Sequence, residues 1–214
     1  MMLLSADWVL PVEGEPIEDG AVLVEDGRVA AVGPASDLGR GERFDGCAIV
    51  PGLVNAHTHL EYAVYAGFGD GLAFAPWLAV HIERKGRIDL DDMLAIARLG
   101  AAECLRSGVT CVADASFSGA AAAACDELGL RAIVGLEVFG RGLEQLTERF
   151  EANRDRHADA YSDRVRLGIS PHAPYTVSLD LYRACLDLGL PVLTHFAESA
   201  AEQEWLTSGT GPWA

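Results

Sequence analysis

The sequence predicts an α/β protein built on a parallel sheet, preceded by an all-β segment. Three observations predict it. From residue 51 onward, short apolar runs alternate with segments of helical period. Residues 1–50 instead carry strand and hairpin signals. The side chains able to do chemistry, His57, His59, Asp114, His172 and His195, fall at or just past the ends of apolar runs. Parallel α/β folds place their sites at such strand ends.

The elements follow in order. Ala21–Val24 and Arg28–Val32 flank Glu25-Asp26-Gly27, and Asp-Gly between apolar runs signals a tight hairpin. Gly33-Pro34 ends the second run, and 48–54 leads onward. Leu53–Ala56 is a buried strand. Asp89–Ser107 has helical period and stops at Gly108; Val109–Ala113 is the next strand. Ala120–Leu128 is an alanine-rich helix closed by Gly129, followed by the strand Arg131–Val138. Leu143–Asp159 reads as a polar helix, Val165–Ser170 as the fourth strand, and Leu179–Leu188 as a helix closed by Gly189. Pro191–His195 is the fifth strand, and Ser199–Leu206 starts a helix that Gly209-Thr210-Gly211-Pro212 breaks. Periodicity alone leaves two architectures open for these five strands, part of a closed α/β barrel or an open sheet.

Composition narrows the classes. The chain has 214 residues, half of them hydrophobic and 22% charged, enough to bury a core and too apolar for wholesale disorder. Its net charge of −16 repels phosphate backbones and anionic lipid, which argues against nucleic-acid or membrane partners. No apolar run approaches the ~18 residues of a membrane span. Met1–Leu10 lacks the basic start of a signal peptide and meets Asp7 early. Five scattered cysteines without CxxC spacing read as free, buried thiols in a reducing compartment, so a cytoplasmic location is expected.

Three constellations carry chemistry. In Asn55-Ala56-His57-Thr58-His59-Leu60, extended backbone points residues i and i+2 the same way, so His57 and His59 can offer two imidazoles to one ion; two unrelated loop histidines are the plain alternative. In Thr194-His195-Phe196-Ala197-Glu198, His195 ends an apolar strand as a third nitrogen ligand, and Glu198 can move protons beside the ion without ligating it. A core histidine and a carboxylate at a helix N-terminus would look the same. In Ser170-Pro171-His172-Ala173-Pro174-Tyr175-Thr176, two prolines stiffen the loop around His172, which suits substrate orientation. The remaining histidines, His81 and His157, read as surface or helix-packing residues.

Pro51-Gly52-Leu53-Val54-Asn55-Ala56-His57-Thr58-His59-Leu60-Glu61 resembles the metal motif of the amidohydrolase superfamily. The two later motifs resemble its subgroup of methylthioadenosine/S-adenosylhomocysteine deaminases, aminodeoxyfutalosine deaminases, guanine deaminases and triazine hydrolases. The resemblance implies a partial (β/α)8 TIM-type barrel, about its first five strands, over 51–214, and part of a β-sandwich domain over 1–50. It implies that His57, His59 and His195 hold one divalent ion, Zn²⁺ first and Fe²⁺ second. It makes Glu198 the catalytic proton carrier and His172 a substrate contact. Phe74-Ala75-Pro76-Trp77-Leu78 and the following His81-Ile82-Glu83-Arg84 resemble the substrate-capping segment, with Trp77 at its base and Glu83 as the residue most like the sugar-binding glutamate; a helix on the barrel rim is the plain alternative.

The expected activity is metal-dependent hydrolytic deamination of a small molecule, an amino-substituted N-heterocycle such as a purine nucleoside related to adenosine or aminodeoxyfutalosine. The alternatives are hydrolysis of another ring leaving group (a triazine chlorohydrolase, guanine deaminase or cyclic amidase) and an inactive fragment that retains metal affinity. A homo-oligomer is compatible with either. The family pattern also has a histidine on the sixth strand and an aspartate on the eighth, and no Asp or His follows Glu198. The expectation is therefore a C-terminally truncated chain, inactive and aggregation-prone alone, with Asp114 as a poor substitute ligand.

Overall fold

The structure is a computed structural model that describes residues 1–211. The chain forms two units, Met1–Gly52 and Leu53 onward. The first is a four-stranded mixed sheet of β1 (Met2–Val9), β2 (Ile17–Glu25), β3 (Arg28–Pro34) and β4 (Glu42–Ile49), with one helical turn, α1 (Ala35–Leu38), before β4. The strand order is β3-β2-β1-β4, antiparallel except for the β1–β4 pair. Glu25 pairs with Arg28, so Asp26 and Gly27 alone make the turn, at φ of +49° and +73°. Positive φ at both positions matches the twist of the flanking strands, which is why Asp-Gly is favoured there.

The second unit alternates strands and helices: β5 (Leu53–Thr58), a 3₁₀ turn over Leu60–Tyr65, α2 (Phe74–Lys85), α3 (Leu90–Arg106), β6 (Val109–Ser116), α4 (Ala120–Leu128) and β7 (Arg131–Val138). After these come α5 (Ala152–Arg156), β8 (Val165–Pro171), α6 (Leu179–Asp187) and α7 (Ala200–Ser208). Strands β5 to β8 pair in sequence order, all parallel. Val112, Val134, Leu136 and Ile169 are buried in this sheet, each contributing roughly 1.5–3 kcal/mol. Ala120, Ala121, Ala122 and Ala124 are fully buried, and their small side chains let α4 lie close to its neighbours. Gly129 ends α4 in the left-handed conformation. Asp89 caps α3 by accepting from the Asp92 amide.

Four local expectations change. Leu53–Ala56 is a strand but not a buried one, since Leu53 and Val54 are exposed. Leu143–Asp159 is not one helix: a wide π-type turn over Leu146–Glu151 runs into α5 and then a 3₁₀ turn, Ala158–Ala160. Here Arg149 donates to the Glu137 and Phe117 carbonyls, and Asn153 to the latter, pulling this segment onto the strand ends. The Pro191–His195 stretch is not a regular strand. It touches β8 through one parallel bridge, Ile169 to Val192, in which the Ile169 amide donates to the Pro191 carbonyl and the Leu193 amide to the Ile169 carbonyl; the His195 amide reaches the His172 carbonyl just past β8. Of the cysteines, Cys125 and Cys185 are buried but Cys47 is exposed, and all five are free. The helix break after α7 occurs at Gly209, φ +64°; Pro212 lies outside the described residues.

Helix α3 meets the 3₁₀ turn at Gly100. A Cβ there would lie 2.8 Å from the Leu60 carbonyl oxygen, directly after His59. Gly100→Ala should therefore lower the thermal midpoint although alanine favours helices, by overpacking on the order of 1–3 kcal/mol. Asp114, buried in β6, accepts from the Leu60 amide and the Thr58 hydroxyl, both at 2.7 Å, while its other oxygen is buried without a partner. Burial, aided by the Glu61 charge, pushes its carboxyl up to about 7. The folded state thus keeps a proton that the unfolded chain releases at about 3.9. This group's contribution falls as pH rises from about 4 to about 7, by at most ~1.4 kcal/mol per pH unit. Urea unfolding across that window should show a shallower decline for Asp114→Asn than for the unaltered protein.

Candidate metal centre and active site

The site lies at the C-terminal ends of the parallel strands. β5 delivers His57, and His59 follows it immediately. Two buried carboxylates fix the chain there. Asp114 ties Thr58 and Leu60 on either side of His59. Glu61 accepts from the Ser116 hydroxyl, the Phe117 amide, and the amide and hydroxyl of Ser118, locking the 3₁₀ turn to the end of β6.

The ring nitrogens of His57, His59 and His195 lie within 4.8 Å of one another. The bonds at the backs of two rings decide what those nitrogens can do. His59 Nδ1 lies 2.8 Å from the Ala115 carbonyl oxygen, and His195 Nδ1 lies 3.0 Å from that of His172. A carbonyl only accepts, so each Nδ1 carries the proton. With both rings neutral, both Nε2 atoms present lone pairs, and these atoms face each other at 2.9 Å. Burial, with His195 beside it, lowers the His59 pKa to about 3 and keeps that ring neutral. Two converging lone pairs repel unless a cation sits between them, and imidazole nitrogens are donors for Zn²⁺ and neighbouring divalent metals. The residues therefore fit a metal ion.

A second group, Glu137, His172 and His195, also converges. It shares His195, whose single available nitrogen already faces His59, so the two groups compete for one donor.

A cavity of about 190 Å³ opens beside the histidines. His59, His172, His195, Glu198 and Trp77 line it. His172 donates from Nδ1 to the Thr176 hydroxyl, which itself donates to the Ala173 carbonyl, so Nε2 is left as an acceptor. Burial lowers the His172 pKa to about 3. Glu198 is brought round by Ala197 in the left-handed region, φ +59°, a strained conformation for a residue with a Cβ. Its amide donates to Glu202, whose own amide donates to the Ser199 cap.

Helix α2 supplies the other wall. Trp77, Leu78, His81, Ile82 and Lys85 recur with helical spacing and face the cavity. The Trp77 indole donates to the Phe68 carbonyl, and a Cβ on Gly69, φ +75°, would lie 2.7 Å from the ring, so glycine is required there. Glu83 is a correction. It falls on the outer face of α2, away from the cavity, exposed and paired with Arg87. His81, expected at a surface or in helix packing, is buried in the cavity wall, stacked 5.0 Å from Trp77, and burial lowers its pKa to about 4. Asp114 does not join the histidines, because its bonds to Thr58 and Leu60 hold it below them.

The sequence reading missed Glu137 and Lys85. Glu137 sits near the end of an apolar strand, and Lys85 looks like a solvated helix-end cation. Both line the cavity. Burial pushes the Glu137 carboxyl up to about 8 against the pull of Lys85, and burial lowers the Lys85 ammonium.

Comparison with known proteins places this geometry. The amidohydrolase family profile matches residues 48–212, and an imidazolonepropionase-like composite domain of bacteria matches 20–40. The 5-methylthioadenosine/S-adenosylhomocysteine deaminase of Syntrophobacter fumaroxidans is 32% identical over 98% of the chain and 52% of its own length. The crystal structure of Helicobacter pylori aminofutalosine deaminase with methylthio-coformycin superposes at TM-score 0.85 with 26% identity, covering 100% of this chain and 55% of that one. A zinc-bound adenosine deaminase from Xanthomonas campestris superposes at 0.75 with 28% identity, covering 99% and 53%. The chain spans about half the length of the curated relatives it matches. With its strand-end histidines and a matching profile over most of its length, the chain belongs to the amidohydrolase family.

Proposed function

We propose that the protein is a metal-dependent hydrolytic deaminase of an amino-substituted N-heterocycle, with adenosine-derived nucleosides as its substrate class. The observation that carries the reading is the convergence of the His57, His59 and His195 ring nitrogens, with the Nε2 atoms of His59 and His195 2.9 Å apart. The names of the relatives, a methylthioadenosine/S-adenosylhomocysteine deaminase and an aminofutalosine deaminase, support the substrate class. In this reading 51–214 is the first five strands' share of a (β/α)8 barrel and 1–50 is part of a β-sandwich. The cytoplasmic location and the lack of nucleic-acid partners rest on the acidic composition and free thiols.

His57, His59 and His195 would hold one divalent ion, Zn²⁺ before Fe²⁺. When bound, the ion supplies a Lewis acid that makes water a nucleophile near neutral pH. Glu198 takes the proton that the attacking water loses and delivers it to the ring nitrogen next to the carbon bearing the amine. The amine takes the second proton of that water as the C–N bond breaks, the ring carbon keeps the oxygen as a carbonyl, and ammonia leaves. His172 Nε2 accepts a hydrogen bond from the substrate, and Trp77 with His81 gives the heterocycle a flat wall.

Glu198→Gln should keep the metal and lose 10²–10⁴ of turnover, as expected on removing a general acid/base. Ammonia release from 5′-deoxyadenosine and methylthioadenosine, with metal content by atomic absorption, checks this. Loss of the metal in that variant would make Glu198 a ligand instead. His195→Ala should lose the ion, lowering its content from about one per chain to near zero and removing the rise in melting temperature that added Zn²⁺ gives the unaltered protein. Ammonia from none of the nucleosides, with chloride released from a chlorotriazine, would replace the deaminase by a hydrolase of another ring leaving group.

A further inference from the structure

Two carboxylates buried to the same degree behave in opposite ways. Glu61 and Glu137 are each 1% exposed. Glu61 is satisfied by donors at Ser116, Phe117 and Ser118, as a structural buried carboxylate should be. Glu137 lines the cavity and receives no hydrogen bond from any described side chain or amide, and its Oε2 is wholly buried without a partner. Lys85 does not neutralise it by a direct ion pair. Its Nζ instead donates to the Tyr62 hydroxyl at 3.1 Å and rests 3.8 Å above the Phe117 ring.

The surroundings of Glu137 define what would satisfy it. One of its carboxylate oxygens lies within 4.8 Å of ring nitrogens of His172 and His195. His172 Nε2 is an acceptor, because Nδ1 is committed to Thr176. With Glu137 ionised, the cavity presents two neighbouring acceptors and no donor between them. A cation shared with His195 is disfavoured, since the one free nitrogen of that ring faces His59. The missing partner is a hydrogen-bond donor carried by the ligand.

We propose that Glu137 is a specificity-determining residue of this pocket, accepting a hydrogen bond from an N–H or O–H of the bound molecule beside His172 Nε2. The proposal rests on the reading of the site as one for an N-heterocycle or its nucleoside. It selects ligands that offer a donor at the floor of the cavity and rejects those that would place an acceptor or a methyl group there. A sugar hydroxyl, present in substrate and product, and the ring N–H that only the deaminated product carries are the two sources of that donor.

Equilibrium binding by calorimetry separates them without turnover. The ligands are the deaminated product 5′-deoxyinosine, its 2′,3′-dideoxy analogue, and hypoxanthine. The proteins are the unaltered chain, the near-isosteric Glu137→Gln, and Glu137→Asp, which keeps the charge but withdraws it by one methylene. Both variants should bind 5′-deoxyinosine about tenfold or more weakly, with metal content unchanged. A loss that persists with the dideoxy analogue assigns the ring N–H, and a loss confined to 5′-deoxyinosine assigns a sugar hydroxyl. Should Glu137→Gln fail to fold, Glu137→Asp carries the same comparison. Equal affinity of unaltered and substituted protein for all three ligands overturns the proposal while leaving the deaminase reading in place. Two ions per unaltered chain, falling to one in Glu137→Gln, would make Glu137 a metal ligand and also overturn it. Failure of the unaltered protein to bind any of the three removes the purine reading and the subsite with it.

Discussion

The site depends on two hydrogen bonds made at the backs of the imidazoles. The carbonyls of Ala115 and His172 hold the Nδ1 protons of His59 and His195 and so turn both Nε2 lone pairs to one point. Each bond sets a tautomer and a ring orientation, as bonds to the far nitrogen do for metal-binding histidines. Each carbonyl belongs to a neighbouring segment of the sheet or its strand-end loop, so the parallel register determines the convergence. Thr58 pairs with Asp114, and the bonds of Asp114 to Thr58 and Leu60 pin the turn that carries His59. Moving that turn by the width of one methyl group would separate the lone pairs, and for this reason Gly100 accepts the poor helix propensity of glycine.

Much of this was legible in the sequence because local rules dominate there. Asp26-Gly27 and Gly129 act through φ alone, and His57 and His59 act through the alternation of an extended chain. Their placement needs no knowledge of distant contacts. What could not be read depends on partners far away in sequence. The break in 143–159 follows from Arg149 reaching the carbonyls of Phe117 and Glu137, 32 and 12 residues away. The irregularity of 191–195 follows from pairing with β8 through so few bonds. The direction of Glu83 turns on the phase of α2, and a shift of one residue rotates a helical side chain by about 100°. Trp77, His81 and Lys85 face inward at a spacing of four, and Glu83 falls between them.

Lys85 and Glu137 show a second limit of sequence reading. A lysine near a helix end reads as solvated because lysine seldom goes under, and a glutamate in a strand of Ile, Val and Leu reads as an anomaly without a cause. Only the fold shows that α2 and β7 bring them to one cavity. The contrast with Glu61, quoted in the metal motif yet fully engaged in holding a turn, shows that burial alone does not mark a functional carboxylate. The number of donors it has found does.

The unfavourable features of the second unit share this location. Ala197 is held at φ +59°, Asp114 and Glu137 are buried with oxygens left unpaired, and two imidazole lone pairs face each other. Each feature costs free energy in the protein by itself, on the order of 1–3 kcal/mol for the backbone strain. The apolar core of Val112, Val134, Leu136 and Ile169 directly beneath offsets that cost. In the proposed reading a cation would relieve the facing lone pairs, and a ligand donor would relieve Glu137. The stretch around Ala197 gains nothing from either, and its strain falls directly before Glu198, which lines the same cavity. Strain that binding does not relieve, sitting beside polar groups that binding does, is the pattern expected of a site shaped for a reacting molecule and not for a stable resting fold.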